Sequence, residues 1–458
     1  MKTKLEKLMV IISFITSFFT VFVSNGVIIA VPNIAQTFAM TNTVQNWIPT
    51  IVVLTMALFT VPAGQICGKI GSKKTFVLGH SLFLVSLLGC IFAFSAESFL
   101  FFRFVQGVGG AFANVAEMAL IVLAISKESR GKALGIIIGG VYLGTSAAPV
   151  ICGFLTDLFG WKSIFFVSIP FITFCILMMI FKFDADWITS PDDRFDLIGT
   201  LFYMSGIFMF IYGFTELNTV FGAVLTVVGL VVLVVFVLFE LRQKTPVLNV
   251  NLFRNKPFTY YNIAGLCGYF AVMVLSTIFN YYFQYVKGWS ASLTGLILII
   301  SPVVMSITAP NSGRLSDRIH PQKIAGIGMA LTGIALSILV FVDAGTSIFV
   351  VVLAMVLQAL GMGLFSGPNM NAIMSSVPQK QAPHASASQL TIRAIGQTMS
   401  LGLLTLVFSW VMGDLILSTQ YAGMVVTSSK IICGICVIAC VVAVITSVLG
   451  LRSEPAES

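Results

Sequence analysis

The feature that most constrains this chain is a series of apolar windows, each about 20 residues long and separated by short polar breaks. An apolar helix of that length can cross the hydrocarbon core of a bilayer. Charged residues make up only 9% of the 458 residues and hydrophobic residues 58%, which is too little charge for a soluble protein of this length. We therefore predict an all-α polytopic membrane protein, because helices satisfy their own backbone in lipid. The sequence predicts fourteen spans, at 8–31, 44–66, 75–95, 98–123, 131–157, 162–182, 196–215, 220–241, 258–285, 290–311, 322–342, 347–374, 384–412 and 428–451.

The net charge of +8 follows the predicted loops. Lysine and arginine are concentrated in alternate loops, such as "GKIGSKK", "SKESRGK" and "GRLSDRIHPQK", and in the N-terminal segment. Basic loops of this kind face the cytoplasm. We expect a protein of the cell membrane with both termini in the cytoplasm and the lipid bilayer as its surroundings, and we expect no nucleic-acid partner.

The chain carries an internal repeat. "GQICGKIGSKK" begins at Gly64 and "GRLSDRIHPQK" begins at Gly313. Gln106 lies 42 residues after the first glycine, and Gln358 lies 45 residues after the second. The offset predicts two six-helix bundles, at 1–190 and 251–458, with an inserted helix pair at 191–250. Paired bundles of this type suit alternating access around a site at mid-membrane.

Several motifs in a fixed order resemble the major facilitator superfamily, in its fourteen-span drug/proton antiporter branch. They are "GQICGKIGSKK" after span 2, "RFVQG" in span 4, "ESRGKALG" before span 5, "GTSAAPVICG" in span 5, "GWKSIFFVSIP" entering span 6, "FDLIGT" entering span 7 and "PNMNAIMSSVP" ending span 12. The resemblance covers nearly the whole chain. It implies a 6+2+6 helical transporter of the multidrug or tetracycline exporter type.

Span 4 carries the most unusual polar residues. At 100° per residue, one helix face holds Arg103, Gln106, Asn114 and Glu117. Ionisable groups at this depth are costly unless they face protein or water, so we expect this face to line a cavity. Arg103 and Glu117 are about 21 Å apart along the axis and do not pair directly.

The resemblance implies a proton-coupling role for the arginine of the "RxxQG" motif, here Arg103. Glu117 is our candidate for the carboxyl that loads and releases the proton, although it is not a standard position of the family. The alternative is a structural role, in which Glu117 caps a hydrogen-bond network with Asn114 or a loop lysine.

Other polar residues are candidates for a substrate-binding cavity. Span 13 has a stripe that includes Gln389, Arg393 and Gln397. Arg393 either binds an anionic group of the substrate or pairs with a carboxylate, and both readings stay open. The remaining candidates are Asn25, Gln358 and Asn369, together with Gln106 and Asn114 of span 4. Many relatives carry an acidic residue in span 1, but here the nearest polar residue is Asn25, which favours neutral or anionic cargo.

A third set matches the conformational motifs of the family. In the first loop the usual acidic position is Gly68, whereas the second loop retains Asp317. Span 5 keeps small residues and a proline, which allow close helix packing and a bend. The predicted conformational residues are Gly64, Gly68, Lys69, Gly71, Arg130, Gly144, Pro149, Gly153, Gly313, Asp317 and Arg318.

We predict a proton-coupled transporter that exports amphipathic small molecules. The alternative is a facilitator or symporter for a specific metabolite or anion on the same fold. We predict no enzyme activity and no metal site. No catalytic set stands out, the Cys433/Cys436 pair has no second pair or nearby histidine to complete a site, and the histidines are scattered. No GxxxxGK[ST] motif is present, so we expect no cofactor, a proton gradient as the energy source, and a functional monomer.

Overall fold

The computed structural model describes residues 4–125, 127–188, 195–217, 219–243, 250–316, 318–377, 382–413 and 415–453. Nearly all of these residues are helical. The helices are α1 (Lys4–Thr37), α2 (Asn42–Ile70), α3 (Ser72–Phe92), α4 (Ala96–Ala124), α5 (Lys127–Phe159), α6 (Ser163–Lys182), α7 (Leu197–Thr215), α8 (Val220–Glu240), α9 (Lys256–Met273), α10 (Leu275–Tyr281), α11 (Ala291–Leu298), α12 (Ile300–Ser316), α13 (Pro321–Val340), α14 (Ile348–Ser375), α15 (Ala382–Met412) and α16 (Ala422–Ser453).

Within the described ranges, fourteen helical segments are long and apolar enough to cross a membrane. This confirms the predicted all-α class and its fourteen spans. The predicted span at 258–285 consists of α9, α10 and a π-helical turn at Tyr282–Val286. Helices often extend beyond the apolar windows: α1 runs to Thr37 and α2 to Ile70. Their terminal turns are more polar, so a hydropathy window alone does not include them.

The described residues form two compact units. The first contains residues up to 204 together with 290–296, and the second contains 205–289 and 297–458. The predicted division at 190 and 250 remains a prediction. In the inserted pair, most of α8 is exposed, and its buried residues are Gly222, Gly229, Phe236 and Glu240. A helix with that apolar surface needs lipid or another hydrophobic partner around it.

The core of the first unit is built from α1 to α6. Small residues let these helices approach closely: a Cβ added at Gly79 of α3 would lie 2.5 Å from the backbone nitrogen of Ala113 in α4. Apolar side chains fill the space between α1, α3, α4 and α6, including Ile12, Phe76 and Met179. This packing places the polar residues of α4 beside α1 and α3.

In the second unit, α9 lies against α14, α15 and α16. Phe365 of α14 approaches Gly268 of α9 and makes an edge-on contact with Tyr269, with ring centroids 6.2 Å apart. Gly396 of α15 packs against the Leu266 carbonyl of α9. This packing positions the polar residues of α14 and α15 around Tyr269.

Candidate functional site

Glu117 lies inside the first unit with 6% of its surface exposed. Its carboxylate accepts hydrogen bonds from the hydroxyls of Thr16 and Ser17 on α1, the latter at 2.9 Å. On the other side, Nε2 of His80 on α3 is 3.6 Å from Oε1 of Glu117. Three helices therefore converge on one buried carboxyl group. Neither Asn114, which is exposed, nor a loop lysine is among its recorded partners.

The surroundings of this carboxyl are apolar. Ala116 and Leu120 of α4 belong to a buried cluster with Ile12 of α1, Phe76 of α3 and Cys175 of α6. Within the described ranges, the His80 ring is the basic group recorded within 4.0 Å of Glu117. An unpaired carboxylate in such surroundings is costly, so its hydroxyl and imidazole partners determine which protonation state it holds.

Arg103 is also buried, with 1% of its surface exposed. Its Nε and Nη2 donate to the Ile48 carbonyl of α2 at 3.3 Å each, and its Nη1 donates to Oε1 of Gln106. The guanidinium is thus held by α2 and by the next turn of its own helix. Arg103 and Gln106 of the "RFVQG" motif are in direct contact, whereas Glu117 has a separate set of partners.

The polar face of α4 packs mainly against other helices of its own unit. A Cβ on Gly107 would lie 2.7 Å from the Val52 carbonyl oxygen of α2. Arg103 contacts α2, and Glu117 contacts α1 and α3. Asn114 is the exposed member of the face. Burial of both ionisable groups in protein agrees with the energetic argument from the sequence, while their role in proton coupling stays a prediction.

In the second unit, Arg393 is exposed and its guanidinium lies over the Tyr269 ring, 4.9 Å from the ring centroid. This is a cation–π contact. Within the described part of the chain, no carboxylate is recorded within ion-pair distance of Arg393. The predicted structural pairing with a carboxylate is therefore not among the contacts that the structure describes.

The other predicted cavity residues occupy different environments. Asn369 is 1% exposed, and neither its Oδ1 nor its Nδ2 has a hydrogen-bond partner among the described residues. Gln358 and Gln389 are buried, and Gln397 is half-buried. The side-chain amide of Asn25 donates to the Val21 carbonyl of its own helix at 3.1 Å. Membership of a common substrate cavity remains a prediction for all of them.

The first loop motif forms the tight turn between α2 and α3. Gly71 has φ +100°, and a Cβ there would lie 2.5 Å from the Asp186 carbonyl oxygen. Asp186 follows α6, and its carboxylate pairs with Lys74 at 2.9 Å. An acidic residue from a distant segment thus reaches this loop, in which Gly68 occupies the usual acidic position. Asp186 is not predictable from the local sequence, because its contact requires the packing of α6 against α3.

The remaining loop residues have fewer recorded contacts. Gly64, Lys69 and Arg318 are exposed, and Gly313 lies in the last turn of α12. Asp317 and the side chain of Arg130 lie outside the described residues.

The small residues of span 5 pack closely against two helices. A Cβ on Gly144 would lie 2.6 Å from the Phe18 carbonyl oxygen of α1, and a Cβ on Gly26 would meet Cys152 of α5 at 2.3 Å. Farther along α5, the backbone at Pro149 and Gly153 touches the first turns of α11. The structure therefore shows the close helix packing that the small residues of span 5 were predicted to allow.

His80, Thr16 and Ser17 are the residues that the sequence analysis missed. A usable signal exists in the glycines of the α3–α4 hairpin. Gly79 packs on Ala113, and Gly109 packs on Phe83. That antiparallel register places His80 opposite position 112, five residues or about 7.5 Å along the axis from Glu117, a gap that the long side chains can span.

The class that these observations define is a polytopic helical membrane protein with ionisable residues buried within its bundles. A family model described as "Major Facilitator Superfamily" matches residues 13–401. The chain therefore belongs to the major facilitator superfamily, a family of membrane transporters rather than enzymes, and the predicted family is confirmed.

Curated relatives and solved structures agree with this assignment. The chain is similar to the riboflavin transporter RibZ of Clostridioides difficile (strain 630), with 26% identity over 80% of each chain. It is also similar to the multidrug resistance protein Stp of Mycobacterium tuberculosis (strain CDC 1551 / Oshkosh), with 28% identity over 82% of this chain and 71% of that one. A crystal structure of a POT family transporter in complex with a thioalcohol conjugated peptide superposes with a TM-score of 0.73, at 16% identity and over 97% of this chain and 96% of that one. This last similarity shows the fold alone.

Proposed function

We propose that the protein is a proton-coupled secondary transporter that exports amphipathic small molecules by alternating access. The observation that carries this proposal is the buried Glu117 carboxyl, with hydroxyl partners on one side and an imidazole on the other. A structural ion pair would need a permanent cation beside Glu117, and none is recorded within 4.0 Å of it among the described residues. The relative named as a multidrug resistance protein supports the choice of cargo class.

Glu117 can act as the proton carrier because two features of its surroundings favour opposite protonation states. The two hydroxyl donors stabilise the carboxylate, whereas the apolar cluster around it favours the neutral acid. A carboxyl group balanced between these forms gains a proton on one side of the membrane and loses it on the other. The energy source in this proposal is the proton gradient, and the protein works as a monomer in the cell membrane, with both termini in the cytoplasm.

The test is transport in reconstituted vesicles under an imposed pH gradient. Three fluorescent probes cover the charge classes: ethidium as a lipophilic cation, neutral riboflavin, and flavin mononucleotide as its anionic counterpart. We expect the wild type to accumulate at least one probe only under the gradient. We expect Glu117→Gln to lose this accumulation because its amide cannot carry a proton, while the helical content is retained.

Glu97→Gln is the matched control, since Glu97 is an exposed carboxylate in the first turn of the same helix. It should transport like the wild type. Gradient-driven accumulation that is unchanged in Glu117→Gln would remove this carboxyl from the mechanism.

A second candidate is a facilitator or symporter for a specific anionic metabolite. The exposed Arg393 guanidinium over the Tyr269 ring favours it, because a cation at this depth requires water or an anionic ligand. The relative named as a riboflavin transporter shows that specific cargo occurs among similar proteins. In the same vesicles, flavin mononucleotide flux that is independent of the pH gradient would favour this second candidate.

Arg393 separates recognition of an anion from a general structural role. We expect Arg393→Gln to reduce flavin mononucleotide flux by about tenfold, as for the loss of one charge-assisted contact of about 1.4 kcal/mol, and to leave riboflavin flux unchanged. Equal loss of both probes would indicate that Arg393 holds the helices together instead of reading the charge of the cargo.

A further inference from the structure

The imidazole of His80 is fixed by its own helix. Its Nδ1 is 3.0 Å from the Phe76 carbonyl oxygen, and the ring is fully buried. A carbonyl oxygen only accepts hydrogen bonds, so Nδ1 carries the hydrogen. In the neutral ring, Nε2 then presents a lone pair.

That lone pair faces the Glu117 carboxyl. The Nε2 atom has no hydrogen-bond partner among the described residues and lies 3.6 Å from Oε1 of Glu117. If the carboxyl is ionised and the ring is neutral, two electron-rich atoms face each other in apolar surroundings, which is unfavourable. One proton between the two atoms removes this repulsion, whether the proton is bonded to the nitrogen or to the oxygen.

The elements around the pair supply few other titratable groups. From α1 come the hydroxyls of Thr16 and Ser17, both directed at Glu117. From α6 comes the Cys175 thiol, whose Sγ is 3.9 Å from the Ile12 carbonyl oxygen. From α2 comes the Cys67 thiol, which lies near the Ser72 hydroxyl. Within the described residues, none of these groups is permanently charged. The cations of α3 are engaged elsewhere: Lys73 donates to the carbonyl oxygens of Ile180 and Phe183, and Lys74 pairs with Asp186.

We propose that His80 and Glu117 form a single proton-binding site in which one proton is shared between the imidazole Nε2 and the carboxyl Oε1. This inference rests on the proposed function and deepens it, since it adds His80 on α3 to the carrier on α4. At 3.6 Å the two atoms are within ion-pair range but are not hydrogen-bonded, so loading the proton draws the two side chains together. Loss of the proton leaves facing lone pairs, which favours separation of the two side chains, so that proton occupancy changes the local packing of α3 on α4.

The pair is tested by infrared difference spectroscopy on the full-length protein in vesicles. The carboxylic-acid C=O band of Glu117 is identified by its loss in Glu117→Gln and followed against pH. Two groups that share a proton titrate with common apparent midpoints. We expect His80→Gln to move the midpoint of the Glu117 band by about one pH unit or more. His320→Gln, which changes a ring at the N-terminal cap of α13, should leave it unchanged.

A second measurement does not depend on a His80 variant. In wild-type protein with ¹⁵N-labelled histidine, the Nε2 signal of His80 should titrate with the same midpoint as the Glu117 band, and Glu117→Gln should shift it. Independent midpoints, or an unchanged Glu117 band in a folded His80→Gln protein, would overturn the shared site.

These outcomes separate the two proposals. Common midpoints in a protein whose transport ignores the pH gradient would retain the pair and reject proton coupling. Coupled transport that depends on Glu117, combined with independent midpoints, would retain the proposed function and reject the pair.

Discussion

At the scale of single residues, Arg103 shows how a permanent charge is held within a membrane-spanning helix. Its planar fork reaches the Ile48 carbonyl through two nitrogens and Gln106 through a third. A lysine ammonium has no such fork and cannot reproduce both contacts from one position. The site therefore requires the fork geometry of a guanidinium as well as its positive charge.

We expect Arg103→Lys to destabilise the protein by about 2 kcal/mol, the scale of a lost hydrogen bond to a charged group. The measurement is the apparent melting temperature in detergent. Arg318→Lys is the matched control, because Arg318 is exposed, and its melting temperature should stay at the wild-type value. Equal melting temperatures for Arg103→Lys and the wild type would show that the fork geometry contributes nothing.

The buried residues of span 4 also show how far single positions can be predicted. The burial of Arg103 and Glu117 in protein follows from the cost of charge in hydrocarbon, which is a local property of the sequence. The partners Thr16, Ser17 and His80 lie about 100 and 37 positions from Glu117 in the chain. Their contact depends on the register between helices, which hydropathy does not encode.

At the scale of elements, the contact between α1 and α5 depends on glycine, which has no side chain to keep the two helices apart. The Gly144 backbone lies so close to α1 that a Cβ would be 2.6 Å from the Phe18 carbonyl oxygen. Close approach through small residues is a usual means of joining helices in lipid. At Gly139 of the same helix, no atom of the described residues lies within 4 Å of the corresponding Cβ position.

We expect Gly144→Ala to lower the stability by about 1–3 kcal/mol, because the helices must move apart. Gly139→Ala should be neutral or stabilising by up to about 1 kcal/mol, because alanine is the better helix former. Thermal unfolding in detergent compares the two substitutions within one helix. A Gly144→Ala protein as stable as Gly139→Ala would show that α5 can move away from α1 without cost.

The elements themselves were largely predictable, for a physical reason. An apolar window about 20 residues long specifies a spanning helix regardless of its neighbours, so the spans are confirmed with edges shifted by a few residues. Contacts between elements were harder to predict from the sequence. The ion pair of Lys74 with Asp186 joins the first loop to the segment after α6, and no local pattern marks that aspartate as its partner.

At the scale of the whole molecule, family membership identifies a transporter, and we propose that the buried Glu117 site couples it to the proton gradient. The motifs predicted the family because their order along the chain is specific even where each alone is weak. They did not predict how Glu117 is bonded, because this position is not a standard part of the family pattern. Proton coupling, as we propose it, therefore rests on the buried pair in the first unit rather than on the family alone.

The most direct test of the central claim runs the cycle in reverse. Vesicles with no initial pH difference are loaded with the probe that the wild type accumulates, and the internal pH is followed with a trapped indicator dye as the probe leaves. Proton-coupled exchange predicts that efflux of the probe changes the internal pH in the wild type and in Glu97→Gln but not in Glu117→Gln. Probe efflux from wild-type vesicles without any change in internal pH would contradict the account.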